Sequence, residues 1–442
     1  MNGRPFDNIH PGLSQQEALR IISAPMAELE AASDYYMAAA HLINYPGPET
    51  EQALLVLLQR QSSEQALLLA QRKAVEVLAR LGCVQAIPAI GRCLQSTDPY
   101  LVENAAWALQ ELHCDCSELH EQMVSLLSDR LQNRRVLIQS LASLGVDSAV
   151  SQITGLQDDD LPGVRGAALA AVSRLGGSLE RVHELEAQLT LPNQMDRQSA
   201  IQDIIDCQAF DLLPSVMRAP VSPVFRMRAV HALWPVDQVE HLGLDLLETL
   251  DDLFVDEPSS LVLVHRYDEA PTEEFLLQEF FGTDFSRCYL ALQSLSARSA
   301  DLLWPLIWTR WQQEAHNDYG AHYFFVRLLG RLESWPADSM EQIEGILVSA
   351  IENKRPQFLK SKPAAILSLM QLNPKKCRFL VSGWLDAEQT PFWESRYAAL
   401  LAIQPFINNS GWDSLRNVLP SCQEDIHPFV RAKARLLIDR LN

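Results

Sequence analysis

The chain has 442 residues, of which 48% are hydrophobic, and its 36 Lys and Arg are outnumbered by 56 Asp and Glu, giving a formal net charge of −20. This negative charge disfavours nucleic acid or an anionic membrane as the main partner. No apolar run approaches the roughly 20 residues that span a bilayer, and the opening MNGRPFDNIHPG lacks the basic and apolar regions of a signal peptide. We therefore predict a cytoplasmic protein without membrane insertion.

The first half of the chain carries a helix-opening signature that returns at a nearly constant interval. Its copies start 31 or 32 residues apart, at Gln71, Val102, Arg134, Arg165, Arg197 and Arg228. A period of this size in helical sequence indicates a solenoid, in which each unit buries its apolar face only against its neighbours.

Each repeat reads as two helices. In the first complete unit, apolar residues follow helical spacing from Ala74 to Leu81, Gly82 ends the helix, and VQAIPAIGRCL forms the second helix. The next unit opens at Asp98-Pro99, with the aspartate as cap and the proline at the first helical position. The same acidic or hydroxyl cap and proline recur at Asp160-Leu161-Pro162, Ser222-Pro223 and Asp425-Ile426-His427-Pro428. We predict an all-α fold, an α-solenoid superhelix of HEAT-like helical-hairpin repeats.

The repeat pattern divides the chain into four predicted segments. They are an N-terminal cap (1–30), regular HEAT-like repeats (31–235), an acidic insertion with a degenerate repeat (236–285), and aromatic-rich C-terminal HEAT-like repeats (286–442). Seven of the nine tryptophans lie in the last segment. An insertion on one face of a solenoid often carries the binding function.

A polar cluster interrupts the aromatic segment in EAHNDYGAHYFF. Asp318, Tyr319 and His322 would lie on neighbouring positions of one helix face, where a carboxylate, a phenol and an imidazole could exchange protons near neutrality. The alternative is a helix-start turn, with Asn317 or Asp318 as the cap and the aromatic residues as packing.

Further carboxylates lie beside helix-forming segments of the repeats. Glu103, Asn104 and Trp107 stand where an arginine is expected, and Asp203 and Asp206 mark a later helix. Carboxylates beside a large ring could bind the N–H groups of a flat conjugated ligand, or they could be solvated helix edges. Arginines also recur with the repeat, at Arg165, Arg197, Arg226 and Arg228. We interpret them structurally, as a ladder of ion pairs between adjacent units.

The cysteines and the missing motifs narrow the chemistry. Eight scattered cysteines match no metal-binding spacing, and we interpret them as free, buried apolar residues, so we predict no metal site. The sequence has no glycine-rich phosphate loop, His-Glu-x-x-His, nucleophile elbow or dinucleotide fingerprint. Use of ATP and metal-dependent hydrolysis are therefore disfavoured.

One family resemblance adds to this interpretation. The segment SDYYMAAAHLINYP from Ser33 to Pro46, the N-terminal element GLSQQEALRIISAP and the aromatic C-terminal half resemble the phycobilin lyases of the E/F type. Within that family the chain is most similar to the long single-chain enzymes that act on phycoerythrin. The resemblance covers the chain nearly end to end.

The resemblance implies a cyanobacterial enzyme that binds phycoerythrobilin, a linear tetrapyrrole, and attaches it to a cysteine of a phycoerythrin α-subunit through a thioether bond. Some relatives also isomerise the pigment to phycourobilin. The bilin is the substrate, and no prosthetic group or metal is implied. The Asn-His-Cys motif of isomerising heterodimeric members is absent, which leaves lyase-isomerase activity open.

This family chemistry assigns roles to the residues above. Asp318 and Tyr319 become the leading catalytic pair, with His322 in support. The predicted bilin-binding residues are Glu103, Trp107, Asp203, Asp206 and Arg327. For one of the repeated arginines to bind a propionate, it would have to leave the ion-pair ladder. We expect the inner surface of the superhelix to hold the bilin and part of the α-subunit.

A function of a different class also fits the repeats. HEAT-like solenoids are mostly binding surfaces, so the chain could be a non-catalytic scaffold or chaperone for phycobilisome assembly or turnover. Fold alone does not separate a scaffold from a lyase.

Overall fold

The computed structural model describes residues 12–60, 64–234, 244–409, 411–412 and 415–441, and the side chains of 415–417 are not among the described parts. Within these ranges all regular structure is helical, which confirms the predicted all-α repeat fold. Residues 1–11 of the predicted cap and 236–243 of the predicted insertion lie outside the described residues. By internal contacts the chain forms two compact units, Met1–Val182 and His183–Asn442. The four predicted segments therefore stay a prediction.

The first unit is a series of helical hairpins. Its α-helices are α1 (Gln15–Ser23), α2 (Asp34–His41), α3 (Pro48–Gln59), α4 (Gln65–Arg80), α5 (Ile87–Cys93), α6 (Pro99–Glu111), α7 (Ser117–Leu126), α8 (Arg134–Ser143), α9 (Val150–Thr154) and α10 (Pro162–Arg174). The first helices of successive hairpins stack directly, α2 on α4, α4 on α6, α6 on α8 and α8 on α10. Small residues allow this close approach: Ala105, Ala106 and Ala108 on α6 are fully buried.

The second unit repeats this architecture with longer connections. Its α-helices are α11 (Leu185–Gln188), α12 (Gln194–Asp206), α13 (Leu213–Met217), α14 (Pro223–Leu233), α15 (Leu246–Val255), α16 (Glu273–Glu279), α17 (Phe285–Ser296), α18 (Ala300–Arg310), α19 (Tyr319–Arg331), α20 (Met340–Glu352), α21 (Ser361–Leu372), α22 (Pro374–Cys377), α23 (Val381–Leu385), α24 (Trp393–Ile403), α25 (Leu415–Cys422) and α26 (Pro428–Asp439). A stack runs from α17 through α19, α21 and α24 to α26. None of the helices in the described ranges has the length and apolar character needed to cross a membrane.

The caps and turns explain where the hairpin helices begin and end. Asp98 caps α6 by accepting the Tyr100 N–H at 3.1 Å, and Pro99 occupies the first turn, as predicted. At α10 the predicted role of Asp160 is wrong, because Asp159 accepts the Leu161 N–H at 3.0 Å. Gly82 follows α4 with a φ of +71°, a left-handed conformation that a side chain would strain.

The aspartates that open these helices also pair with arginines of the preceding hairpin. The pairs are Arg72–Asp98, Arg134–Asp159 and Arg396–Asp425, with shortest N–O distances of 2.6 to 2.7 Å. The latter two pairs are almost fully buried, so each arginine is held by a carboxylate that has little access to water. An ion-pair ladder therefore exists in each unit. Of the four arginines predicted to form it, Arg197 and Arg226 pair with carboxylates, whereas Arg165 and Arg228 form no ion pair within the described residues.

The predicted acidic insertion contributes a packed helix to the second unit. Helix α15 contacts α14, α21 and α26, and its Leu250 and Leu253 are buried. It ends at Asp256, a buried residue in the left-handed region with a φ of +47°. This part of the insertion thus belongs to the core of the unit.

Candidate functional site

A cavity of about 590 Å³ lies inside the second unit. We name it the Lys360 cavity. It is framed by α14, the end of α15, α19 and the starts of α21 and α24. Its apolar lining consists of Pro223, Val224, Met227, Leu253, Phe254, Pro356, Leu359, Pro363, Ala364 and Phe392. A cavity of this size and character suits an organic ligand with an extended apolar surface.

Arg228 is the first of two cations in this lining. It lies on α14, and its guanidinium carbon is 5.4 Å from the centre of the Phe225 ring. Within the described residues it makes no ion pair or hydrogen bond, unlike Arg197 and Arg226 of the predicted ladder. Arg165 is also outside the ladder, since it donates to the Asp159 carbonyl at 2.6 Å. Arg228 therefore keeps its donors available to a ligand.

Lys360 is the second cation and directly precedes α21. Its ammonium lies 4.8 Å from the centre of the Phe285 ring, 5.3 Å from that of Tyr319 and 5.5 Å from that of Tyr323. Burial lowers the pKa of Lys360 to about 8. No carboxylate pairs with it among the described residues, so an anionic ligand could replace the missing partner.

Glu394 brings an acid to the same cavity. It lies in the first turn of α24, and burial raises the pKa of its carboxyl group. The described part of the chain gives this side chain no salt-bridge partner. An acid in such surroundings holds its proton more tightly than a solvated one and can donate it to a basic ligand.

A buried polar network supports the wall of the cavity. The Asp256 carboxylate accepts hydrogen bonds from Arg226 at 2.5 Å, from the Tyr289 hydroxyl at 2.7 Å and from the Tyr323 hydroxyl. Arg226 and the other donors hold the pKa of Asp256 below its usual value, although burial alone would raise it. Because Tyr323 lines the cavity, this network fixes one of its aromatic walls.

A second, larger cavity of about 740 Å³ lies in the same unit. It is lined by α19, α21 and α24, and by Val255 and Glu257. Its charged groups already have partners within the protein: Arg331 forms a two-pronged ion pair with Glu257, at 2.7 and 2.8 Å, and Arg327 donates to backbone carbonyls. We therefore favour the Lys360 cavity, whose cations have no such partners, as the ligand site.

Comparisons with known proteins show the family of the chain. The bilin biosynthesis protein CpeY of Synechococcus sp. (strain WH8020) is 45% identical over 412 residues, covering 93% of this chain and 98% of that protein. The chain belongs to the E/F-type phycobilin lyase family. An uncharacterized phycocyanin operon protein Y of Pseudanabaena tenuis (strain PCC 7409) is 33% identical, covering 92% of this chain and 95% of that protein.

Two shorter matches cover single regions of this bilin lyase family member. The phycocyanobilin lyase subunit alpha of Thermosynechococcus vestitus is 29% identical over 176 residues, which span 37% of this chain and 63% of that protein. The Armadillo/beta-catenin-like repeat family matches residues 83–112. That stretch contains α5 and α6, a hairpin of the first unit.

The structure places the three predicted catalytic residues of this family member in different surroundings. Asp318 caps α19, accepting the N–H groups of Gly320 at 2.9 Å and Ala321 at 2.8 Å, which is the helix-start alternative. Tyr319 is 59% exposed. His322 is 3% exposed, bonds Ser361 at 3.0 Å, and its pKa is lowered to about 4 by burial.

In these positions the three side chains do not form one group that could pass a proton between them. No hydrogen bond or ring contact within the described residues joins the three side chains, so the expected proton-transfer cluster stays a prediction. Tyr319 keeps a link to the site, because its ring flanks Lys360. Catalysis by any of the three stays an untested prediction.

Arg327 and the four other predicted bilin-binding residues lie elsewhere. Arg327 is 6% exposed, donates to the carbonyls of Val255 and Asp256, and lines the second cavity. Its guanidinium thus holds the turn after α15 rather than the Lys360 cavity.

The remaining four lie on repeat helices and line neither cavity. Glu103 and Trp107 are half-buried on α6 of the first unit, where the Arg80 guanidinium carbon is 5.9 Å from the centre of the Trp107 ring. Asp203 is fully buried on α12, so it is not a solvated edge, and Asp206 accepts from Gln202 at 2.6 Å. Their role in bilin binding stays a prediction.

The cysteines are free, as predicted, and Cys116 and Cys207 are half-buried whereas the other six are buried. Among the described residues no group of His, Cys, Asp and Glu is arranged to hold a metal ion.

The sequence did not reveal Lys360, Glu394 and His231 as cavity residues. Of the cavity residues, only Arg228 could have been found from the sequence. It is one of the repeated arginines, any of which could bind a propionate if it left the ion-pair ladder.

Proposed function

We propose that this protein is a phycobilin lyase that binds phycoerythrobilin in the Lys360 cavity and attaches it to a cysteine of a phycoerythrin α-subunit through a thioether bond. The observation that carries the proposal is a pair of cations, Arg228 and Lys360, without carboxylate partners in a largely apolar cavity that also contains the acid Glu394. The relative named a bilin biosynthesis protein, 45% identical over nearly the whole chain, supports the ligand class.

The cavity matches the chemistry of a linear tetrapyrrole. Such a pigment has a conjugated apolar body, two propionate carboxylates and pyrrole N–H groups. Arg228 can bind one carboxylate through two parallel hydrogen bonds, and Lys360 can bind the other as a point charge. The apolar lining, including Phe254 and Phe392, would cover the conjugated rings.

The attachment reaction needs proton transfer but no further reactant. The thiol sulfur bonds to the ethylidene carbon on ring A, and the carbon–carbon double bond of that group becomes a single bond. The thiol loses its proton, and the adjacent ring carbon gains one. Protonation of the bilin makes that ethylidene group more electrophilic. Glu394, whose pKa is raised by burial, is the acid that we assign to this protonation.

Co-production with phycoerythrobilin and the α-subunit tests the function. We expect a coloured α-subunit whose pigment survives denaturation in urea, and only when this protein is present. Colour lost in urea would contradict the lyase activity and favour the scaffold or chaperone alternative. The absorbance of the adduct also reports isomerisation, because bound phycourobilin has a shorter conjugated system than bound phycoerythrobilin.

Cavity variants test the location of the site separately. Arg228→Met with Lys360→Met should abolish most bilin binding, measured by absorbance titration, while the helical circular dichroism is unchanged. Arg218→Met is the matched control, since Arg218 is exposed in the same unit and lines neither cavity. Normal attachment by the double variant would leave the function in place and contradict the site.

A further inference from the structure

His231 occupies an unusual position at the Lys360 cavity. It lies on α14, one turn after Arg228, and lines the cavity while its side chain is exposed to solvent. Its ring is packed at 4.9 Å from the Phe429 ring and 5.4 Å from the Trp393 ring, measured between centres. A group on a partner protein could therefore approach an imidazole that neighbouring rings hold in place.

Both ring nitrogens of His231 are available. In the described part of the chain neither nitrogen makes a hydrogen bond or an ion pair. The neighbouring rings displace water from the imidazole and lower the pKa of His231. The charged and titratable groups of the surrounding elements are Arg228 on the same helix, Lys360 before α21, Glu394 on α24 and His427 before α26.

We propose that His231 is the general base that removes the proton from the acceptor cysteine during attachment. The inference rests on the proposed lyase function and deepens it. One imidazole nitrogen takes the thiol proton, and the thiolate sulfur bonds to the ethylidene carbon. Glu394 supplies the proton that ends on the bilin, and the imidazolium then returns its proton to the Glu394 carboxylate. The cycle adds S–H across one double bond and leaves the protein unchanged.

The other imidazoles near the cavity are less suited to this role. His322 is 3% exposed and bonded to Ser361, so a thiol on another protein cannot reach it. His427 is stacked on Trp393 at 4.1 Å and accepts the Phe429 N–H at 3.4 Å. Among the described histidines near the cavity, only His231 lines the cavity, is exposed to solvent and has two ring nitrogens without hydrogen-bond partners.

His231→Gln in the full-length protein tests the proposal with readouts that a structural role would not change. We expect wild-type bilin affinity by absorbance titration and an attachment rate lower by about 100-fold. The wild-type rate should level off above the imidazole pKa. The variant rate should instead keep rising towards the pKa of a free thiol, about 8.5. In His231→Ala, added imidazole should restore part of the rate.

His427→Gln is the matched control, because it alters the same aromatic cluster without removing the proposed base. It should keep the wild-type pH profile. A wild-type rate and pH profile in His231→Gln, a loss of bilin binding in that variant, or no rescue by imidazole would overturn the proposal. If the wild-type protein formed no adduct at all, the proposed function itself would fail, which is a distinct result.

Discussion

Arg226 and Arg228 lie two residues apart on α14 and have opposite environments. Arg226 is 2% exposed and donates to Asp256 at 2.5 Å and to the Tyr289 hydroxyl at 3.1 Å. Arg228 lines the Lys360 cavity without a carboxylate partner in the described residues. One arginine is therefore part of the structural ion-pair ladder, and the other is available to a ligand.

We predict that these two arginines respond oppositely to substitution by Met. Arg226→Met leaves the Asp256 carboxylate buried without its cation, so the free energy of unfolding should fall by about 3–5 kcal/mol. Arg228→Met should change it by no more than about 0.5 kcal/mol, because no protein partner is lost. Urea unfolding followed by circular dichroism measures both values. Equal destabilisation would show that Arg228 also has a structural role.

Lys360→Met should make the ligand-free protein more stable at pH 7. The folded-state pKa of Lys360, about 8, is below the usual 10.5, so below pH 8 folding places an unfavourable charge inside the protein. Since the pKa falls from 10.5 to about 8, and each pKa unit corresponds to about 1.36 kcal/mol, the gain should be about 3 kcal/mol. Between pH 8 and 10.5 the unfolded state binds more protons, so wild-type stability rises with pH and the difference from the variant disappears.

The same variant should bind the bilin more weakly. Wild-type affinity should fall as Lys360 loses its proton above pH 8, whereas the affinity of Lys360→Met should be nearly constant over that range. Lys354→Met is the matched control, since Lys354 is exposed and lines neither cavity. A wild-type affinity that does not change between pH 7 and 9.5 would contradict a carboxylate contact at Lys360.

Two helical glycines should respond oppositely to alanine. A Cβ at Gly330 on α19 would lie 2.3 Å from the Ser368 hydroxyl and 2.7 Å from its Cα, so α21 would have to shift. Gly330→Ala should therefore cost about 1–3 kcal/mol of unfolding free energy. Gly345→Ala on α20 meets no atom within 4 Å and should gain about 0.5–1 kcal/mol from helix propensity. Thermal unfolding of both variants measures the difference.

The sequence predicts the repeat because its signals are local. Helical spacing of apolar residues and an aspartate before a proline specify α6 within a dozen residues, and Asp98 caps it as expected. The Asp318 cap is equally local. Its carboxylate bonds the first N–H groups of α19, as the helix-start alternative predicts, and not the side chains of Tyr319 or His322. Local preferences therefore account for the helices and their caps.

The site depends on contacts that no local pattern contains. Arg226 has a partner because α15 ends in a buried turn at Asp256, 30 residues later, in a segment where the repeat pattern is lost. Arg228 has the same place in the repeat as other arginines but faces a cavity formed with α21 and α24. Burial of His322 and the lowered pKa of Lys360 likewise arise from packing between distant helices.

Glu394→Gln should separate bilin binding from bilin protonation. Glutamine has nearly the shape of the protonated acid, so binding should be retained, but it cannot donate the proton. We expect attachment to slow by about 100-fold, and the bound pigment should lose the red-shifted absorbance of a protonated bilin. Glu388→Gln is the control, since Glu388 is exposed and outside the cavity. If Glu394→Gln kept both the red-shifted spectrum and the wild-type rate, protonation would have to come from another group, and the carboxyl in α24 would be only part of the cavity wall.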